Sequence, residues 1–416
     1  MKALVFGGVV DDNGVMLGRR WKSVLSKPGF LIFILTVFFV ITAFFFKNVL
    51  FPKPNEADFL VQGDKEEIRI VAREISERCR NEQAECWEEG VGRDLLDKYK
   101  LLAVFDAIYD WDVHFSCHAF THYIGRAVYK KNGNIPDSYA LVNYTCHGGA
   151  FHGVMEAFLD ERKQTIDELD GVKIDEICKS SKSLIKKEPD MIYYECFHGF
   201  GHAFMFVTNA NLPFSLKYCD RMIGESFREA CYGGSLMENS TSSTNKDHRS
   251  EWLKEDEKFY PCTILGEKYL NQCYFYQANY LLMKTNRDFK QTFEDCYSLP
   301  DPVFTDYCIL GIGAQLASVS NEQGMDRASG VCPIAQGDAR NICIEGAVPS
   351  IFDRYGGNPA KPIEFCALTA VDLRGFCFGK VGSVAVRWNG DLDKICKSVQ
   401  NYVDDCFGKK GQVFKY

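Results

Sequence analysis

The sequence predicts an all-α protein in which an N-terminal single transmembrane helix precedes a disulfide-linked ectodomain of αα-hairpin repeats, wound as a solenoid or toroid. Three observations carry this reading: an uncharged apolar run from Phe30 to Phe46, eighteen cysteines in 416 residues, and cysteine pairs that recur with a regular period from Cys219 onward.

Residues 1–29 read as a cytoplasmic segment. The run that follows, FLIFILTVFFVITAFFF, extends to Phe51 if Lys47 reaches the headgroups, so residues 30–51 suffice for one tilted span. The preceding segment is long for the basic region of a signal peptide and no small-x-small cleavage site follows, which favours an uncleaved anchor. Arg19, Arg20, Lys22 and Lys27 lie just before the span, so the positive-inside rule keeps the N-terminus in the cytoplasm and exports everything after Phe51, beginning with a linker at 52–63. Eighteen cysteines agree with export, because thiol pairs oxidise and persist outside the reducing cytosol. A net charge of −8 and the lack of any long Lys/Arg run exclude a nucleic-acid partner. Asn143-Tyr-Thr and Asn239-Ser-Thr are glycosylation sequons only in a eukaryotic secretory route.

The exported part divides into a His-rich helical region, residues 64–210, and Cys-paired hairpin repeats, residues 211–416. From Cys219 the cysteines alternate between two classes, at 219, 262, 296, 332, 366 and 396 and at 231, 273, 308, 343, 377 and 406. The second class recurs at intervals of 35, 35 and 34 between Cys273 and Cys377, the period of a two-helix repeat. In one unit, helical apolar spacing leads to Cys296, Pro300-Asp-Pro302 makes the turn, and a small apolar helix opens around Cys308. A disulfide across that turn contributes on the order of 3 kcal/mol. The segment ENSTSSTNKDHRSEWLKEDEK, between Cys231 and Cys273, reads as a surface insertion. Glycines fall two, three or five places after the second cysteine of many units; close approach of neighbouring helices is the reading that offsets their cost of about 1 kcal/mol each, and a glycine-lined ligand groove is its alternative. The pairing of Cys79, Cys86, Cys117 and Cys146 stays open, since their spacing departs from the later rhythm.

Between Cys178 and Cys406 this layout resembles the disulfide-bearing αα-repeat proteins of the Sel1-like and tetratricopeptide type, on its period, hairpin form and one cysteine pair per unit. The spacing inside each pair is longer than in Sel1-like repeats and the tetratricopeptide Trp/Leu/Gly/Tyr signature is absent, so the resemblance implies architecture alone. Glycine-rich helices that carry Cys and His are also similar to those of αα-toroid enzymes with a central zinc.

Six of the eight histidines follow three of the cysteines: His118 and His122 after Cys117, His147 and His152 after Cys146, His198 and His202 after Cys196. His114 extends the first series backward at helical spacing. Stacked helices bring such positions to one surface, and later units carry Met237, Asn279, Ala314, Pro349 and Ser383 where His152 and His202 stand, so histidine is not a demand of the repeat. All seven histidines are therefore candidate metal ligands, with Glu156 one turn beyond His152 as a further ligand or catalytic proton carrier. Zinc, copper, iron and manganese are the candidate ions, and a b-type haem between two imidazoles is the other cofactor admitted; no C-x-x-C-H occurs for a covalent haem. The sequence thus reads as a metal-dependent oxidoreductase or hydrolase. Its rival is a non-enzymatic scaffold that presents the repeat surface to a protein or peptide partner.

Overall fold

The computed structural model describes residues 63–408 except 81, 83, 110–116, 185–188, 242–249 and 389. The expected cytoplasmic segment, the membrane span, nearly all of the linker, and His114 lie outside these residues. Among the described residues the regular structure is helical, with no sheet. It falls in one compact unit that begins at Val61.

Nine helices of the described residues form an inner row: α1 (Cys117–Asn132), α2 (Gly149–Asp160), α3 (Pro189–Val207), α4 (Glu225–Thr241), α5 (Leu270–Lys284), α6 (Pro302–Glu322), α7 (Ala339–Arg354), α8 (Val371–Arg387) and α9 (Val403–Cys406). Each packs on the next. Shorter helices such as Gly171–Leu184, Leu212–Cys219, Phe289–Tyr297 and Ala360–Leu368 form an outer row between them. The local signals for one hairpin are visible in its caps. Asp288 accepts from Gln291 N to open the outer helix Phe289–Tyr297, and Asp301 accepts from Val303 N to open α6 with Pro302 in its first turn. The inner helix therefore begins at Pro302, earlier than the sequence pattern around Cys308 indicates. Phe120, Phe151, Phe197, Phe200, Phe293, Phe352 and Phe365 are fully buried, so aromatic side chains fill much of the layer between the rows.

All eighteen cysteines are paired. The six pairings expected from Cys219 onward are present, as is Cys178–Cys196. Cys79 bonds Cys86, and Cys117 bonds Cys146, which ties the start of α1 to the turn before α2. Nine bridges and no free thiol indicate assembly in an oxidising, extracytoplasmic compartment. Among the described residues one helix, α6, is long and apolar enough to cross a membrane; it is tied by Cys296–Cys308 and sits between α5 and α7, and 56% of its most apolar window is buried.

The row curls until the segments beside α1 and α2 meet those at the ends of α7 and α8. Tyr109 Oη donates to Tyr355 O at 2.7 Å, Arg354 Nη1 donates to Tyr109 O at 2.9 Å, and the Tyr144 and Trp388 rings lie 5.0 Å apart. Tyr194 and Glu195 of α3, Tyr276 of α5 and Asp353 of α7 act electrostatically on one another, so these helices share an interior. Tyr194 is 43% exposed among these groups, so solvent reaches the interior, or lumen, that they share. Of the two sequons, Asn239 lies in α4, is 1% exposed and accepts from Ser250 Oγ, so it cannot carry a glycan in the folded chain.

Candidate metal centre

Glycine sets the spacing of the helices that carry the site. A Cβ on Gly153 of α2 would lie 1.9 Å from His122 O on α1, and one on Gly125 of α1 would lie 1.9 Å from Ala150 O. The same device joins α3 to α4, where a Cβ on Gly234 would lie 2.0 Å from His198 O. Bare Cα–H groups let each backbone rest on the carbonyls of its neighbour. Gly313 against Cys343 and Gly346 against Leu310 do this where no histidine is present, so close approach belongs to the array and the histidines of its first units exploit it.

Five imidazoles meet across α1, α2 and α3. His118 and His122 turn their Nε2 atoms toward each other at 3.1 Å, and His198 and His202 repeat the arrangement at 3.3 Å. Their other nitrogens are engaged outward. His118 Nδ1 donates to Cys146 O at 2.9 Å and His198 Nδ1 to Ala230 O at 3.0 Å; His122 Nδ1 donates to Glu156 Oε1 at 2.6 Å and His202 Nδ1 to Glu238 Oε2 at 2.9 Å. A backbone carbonyl only accepts, so the protons of neutral His118 and His198 sit on Nδ1 and their Nε2 lone pairs face inward. His152 lies between the two pairs, stacked on His202 with ring centres 4.2 Å apart. Its Nε2 meets Glu195 Oε2 at 3.1 Å, while its Nδ1 is buried without a hydrogen-bond partner. Three groups offer ligand atoms all within 4.8 Å of one another: His118, His122 and His152; His152, His198 and His202; and His122, Glu156 and His202.

The electrostatics keep most of these rings neutral. Burial first, then the neighbouring histidines, holds His118, His152 and His198 well below the ordinary imidazole range. At His122 burial also opposes charge, but the Glu156 carboxylate and its hydrogen bond outweigh it and raise the pKa. Burial pushes Glu156 upward, and His122, with help from Arg126, overcomes that to bring it to about 2. Glu195 is held well above the carboxylate range by burial and by Asp353. Arg126, itself 3% exposed, pairs with Glu88 and lies 3.7 Å from Glu156 Oε2, so the chain of support runs from Glu88 through Arg126 and Glu156 to His122.

The structure therefore brings together His118, His122, His152, His198 and His202 of the candidates named from sequence. His147 stands apart: Cys146, His147 and Gly148 are all left-handed, which ends the helical register, and the His147 ring is 6.4 Å from His118 and outside every group within ligand distance. Burial and then Arg354 lower its pKa to about 3. Glu156 serves His122 rather than the same-helix His152. Glu195 and Glu238 did not emerge from the sequence. Glu238 opens the polar insertion, and α4 runs on through Thr241 instead of ending before it. A signal was present nonetheless: Glu156 follows His122 by 34 residues and Glu238 follows His202 by 36, about one repeat period.

Asp353 faces the same lumen from α7, and burial raises it to about 7 against the opposing effects of Arg387 and Trp388. An unfolded Asp ionises near ~4, so between about pH 4 and 7 the native chain keeps a proton that the unfolded chain has released, and stability falls as pH rises through that window. Asp353→Asn is expected to remove about 2 kcal/mol of this fall, after allowance for solvent that reaches the carboxyl. Urea unfolding across that range reads it, and an unchanged slope in the variant would exclude Asp353 as the cause.

Comparison of the chain with family models, with curated proteins and with solved structures found no match.

Proposed function

We propose that this chain is a membrane-anchored, extracytoplasmic metalloprotein, a metal-dependent oxidoreductase or hydrolase whose centre is the histidine cluster at the lumen wall. One observation carries the reading: four of the five imidazoles have Nδ1 against a carbonyl or carboxylate and Nε2 turned toward another imidazole, and the fifth, His152, sets its Nε2 on Glu195 and keeps its Nδ1 buried without a partner. Metal-bound histidine has that arrangement, because an outward acceptor fixes the tautomer and raises the basicity of the inward nitrogen. The paired Nε2 separations support it. Two nitrogens on one tetrahedral ion, each ~2.0–2.1 Å from it, are about 3.3 Å apart.

The ligand chemistry narrows the ion. Every cysteine is oxidised, so no thiolate is on offer, and the nearest carboxylates are engaged by imidazole. Imidazole suits zinc, copper and iron, whereas manganese prefers oxygen and fits this set worst. Stacked and crowded rings also favour a bare ion over a haem, which needs a macrocycle between its two histidines. Bound there, the ion would supply Lewis acidity or electron transfer. The chain's own groups then hold the rings through Glu156, Glu238 and Glu195, whose carboxyl, beside His152, is held above the ordinary carboxylate range by burial and by Asp353.

The test is metal content. Full-length protein made through an oxidising compartment should carry stoichiometric transition metal, and His152→Ala with His202→Ala should carry less of it while the disulfide-held helices remain by circular dichroism. Metal-free protein of unchanged stability that takes up none on addition would overturn the proposal.

A further inference from the structure

We infer that the cluster holds two metal ions, one in each His-x-x-x-His pair, rather than a single shared ion. The inference rests on the metal reading above and goes beyond it.

The argument is one of distance. Ligands on one ion at ~2.0–2.1 Å lie no more than about 4.2 Å from each other, even when opposite. The pair on α1 meets this limit at 3.1 Å and the pair on α3 at 3.3 Å. Across the pairs it is not met throughout. The groups within ligand distance join His122 to His202 across the pairs, but none contains His118 together with His198 or His202, and the His118 and His202 ring centres are 6.0 Å apart. The two pairs are also built alike, each with its first histidine on a carbonyl and its second on a glutamate of the following helix. A repeat that doubles one half-site in this way makes two equivalent clamps.

His152 breaks the equivalence. It belongs to the groups of both clamps, but its Nε2 is engaged by Glu195 and only Nδ1 is left to ligate. One nitrogen serves one ion, so one ion has three imidazoles and the other has two. The second ion keeps open positions for water or substrate, the condition for a reactive rather than a structural centre. Solvent reaches this wall of the cluster, where the Glu238 side chain is 34% exposed.

The experiment is a stoichiometric titration of chelator-stripped full-length protein in detergent with Zn(II), read by competition with an indicator dye. Two equivalents per chain are expected, with one left in His118→Gln/His122→Gln and one in His198→Gln/His202→Gln. A single equivalent abolished by either double substitution would overturn the two-ion inference and leave the metal reading standing. No uptake by the unaltered protein would remove both. The unaltered protein also gives a readout that does not depend on the variants: loaded with Cu(II), two ions about 4 Å apart couple magnetically, so the integrated paramagnetic signal should fall well below the copper content. A full, uncoupled signal from one copper per chain would contradict it.

Discussion

Gly153→Ala should lower stability by about 3 kcal/mol and weaken metal binding. The added methyl would stand 1.9 Å from His122 O, 2.7 Å from His122 C and 2.9 Å from His122 Cα. Those atoms are helical backbone and cannot rotate aside, so α1 and α2 must part by an ångström or more. Overpacking of a tight core costs ~1–3 kcal/mol, and a clash with backbone belongs at the upper end. The same displacement separates His118 and His122 on α1 from His152 and Glu156 on α2. Metal–ligand distances tolerate only about 0.2 Å, so ligation shared between α1 and α2 should fail even in molecules that fold. Gly92→Ala is the control, because nothing lies within 4 Å of its Cβ position and its φ is not left-handed; stability there should be unchanged or slightly raised. Thermal unfolding and metal content measure both, and a Gly153→Ala protein with full metal would refute the role of close helix approach.

Removal of Arg126 is the second large effect expected. Its guanidinium is 3% exposed and pairs with Glu88, lies 3.7 Å from Glu156 and 3.6 Å from Asp160, and covers the Phe206 ring at 4.1 Å. Arg126→Leu keeps some apolar volume but leaves Glu88 and Glu156, each 4% exposed, with less compensating charge. Breaking a buried ion pair from one side costs ~3–5 kcal/mol. Equilibrium unfolding in urea should show a loss of that size at neutral pH. A loss below about 1 kcal/mol would mean that Lys130, which also pairs with Glu88, suffices to hold the acidic side chains.

The repeat was legible because its signals are local. Period, caps and turn prolines depend on residues near one another, and the cysteine pairs from Cys219 onward span only 10 to 12 positions. Cys117–Cys146 was not legible, since both cysteines occupy the same register at the starts of inner helices and sequence offers no reason for two such positions to meet. The histidines were legible as a set because four of them recur at helical spacing of four. His147 failed as a member because three consecutive left-handed residues interrupt the helix that the glycines were expected only to loosen. The supporting carboxylates depend on which helix lies beside which. Glu195 reaches His152 across a separation of 43 residues, and Glu238 hid at the edge of a polar insertion. The closing of the array is a long-range property as well: Tyr109 and Tyr355 meet across 246 residues.

X-ray absorption at the K edge of the metal carried by full-length protein tests the central claim most directly. Convergence of the inward imidazole nitrogens predicts a first shell of nitrogen near ~2.0 Å, followed by the outer-shell scattering of imidazole rings. A shell of sulfur near ~2.3 Å, or of oxygen with no imidazole scattering, would place the ion elsewhere and contradict the histidine centre.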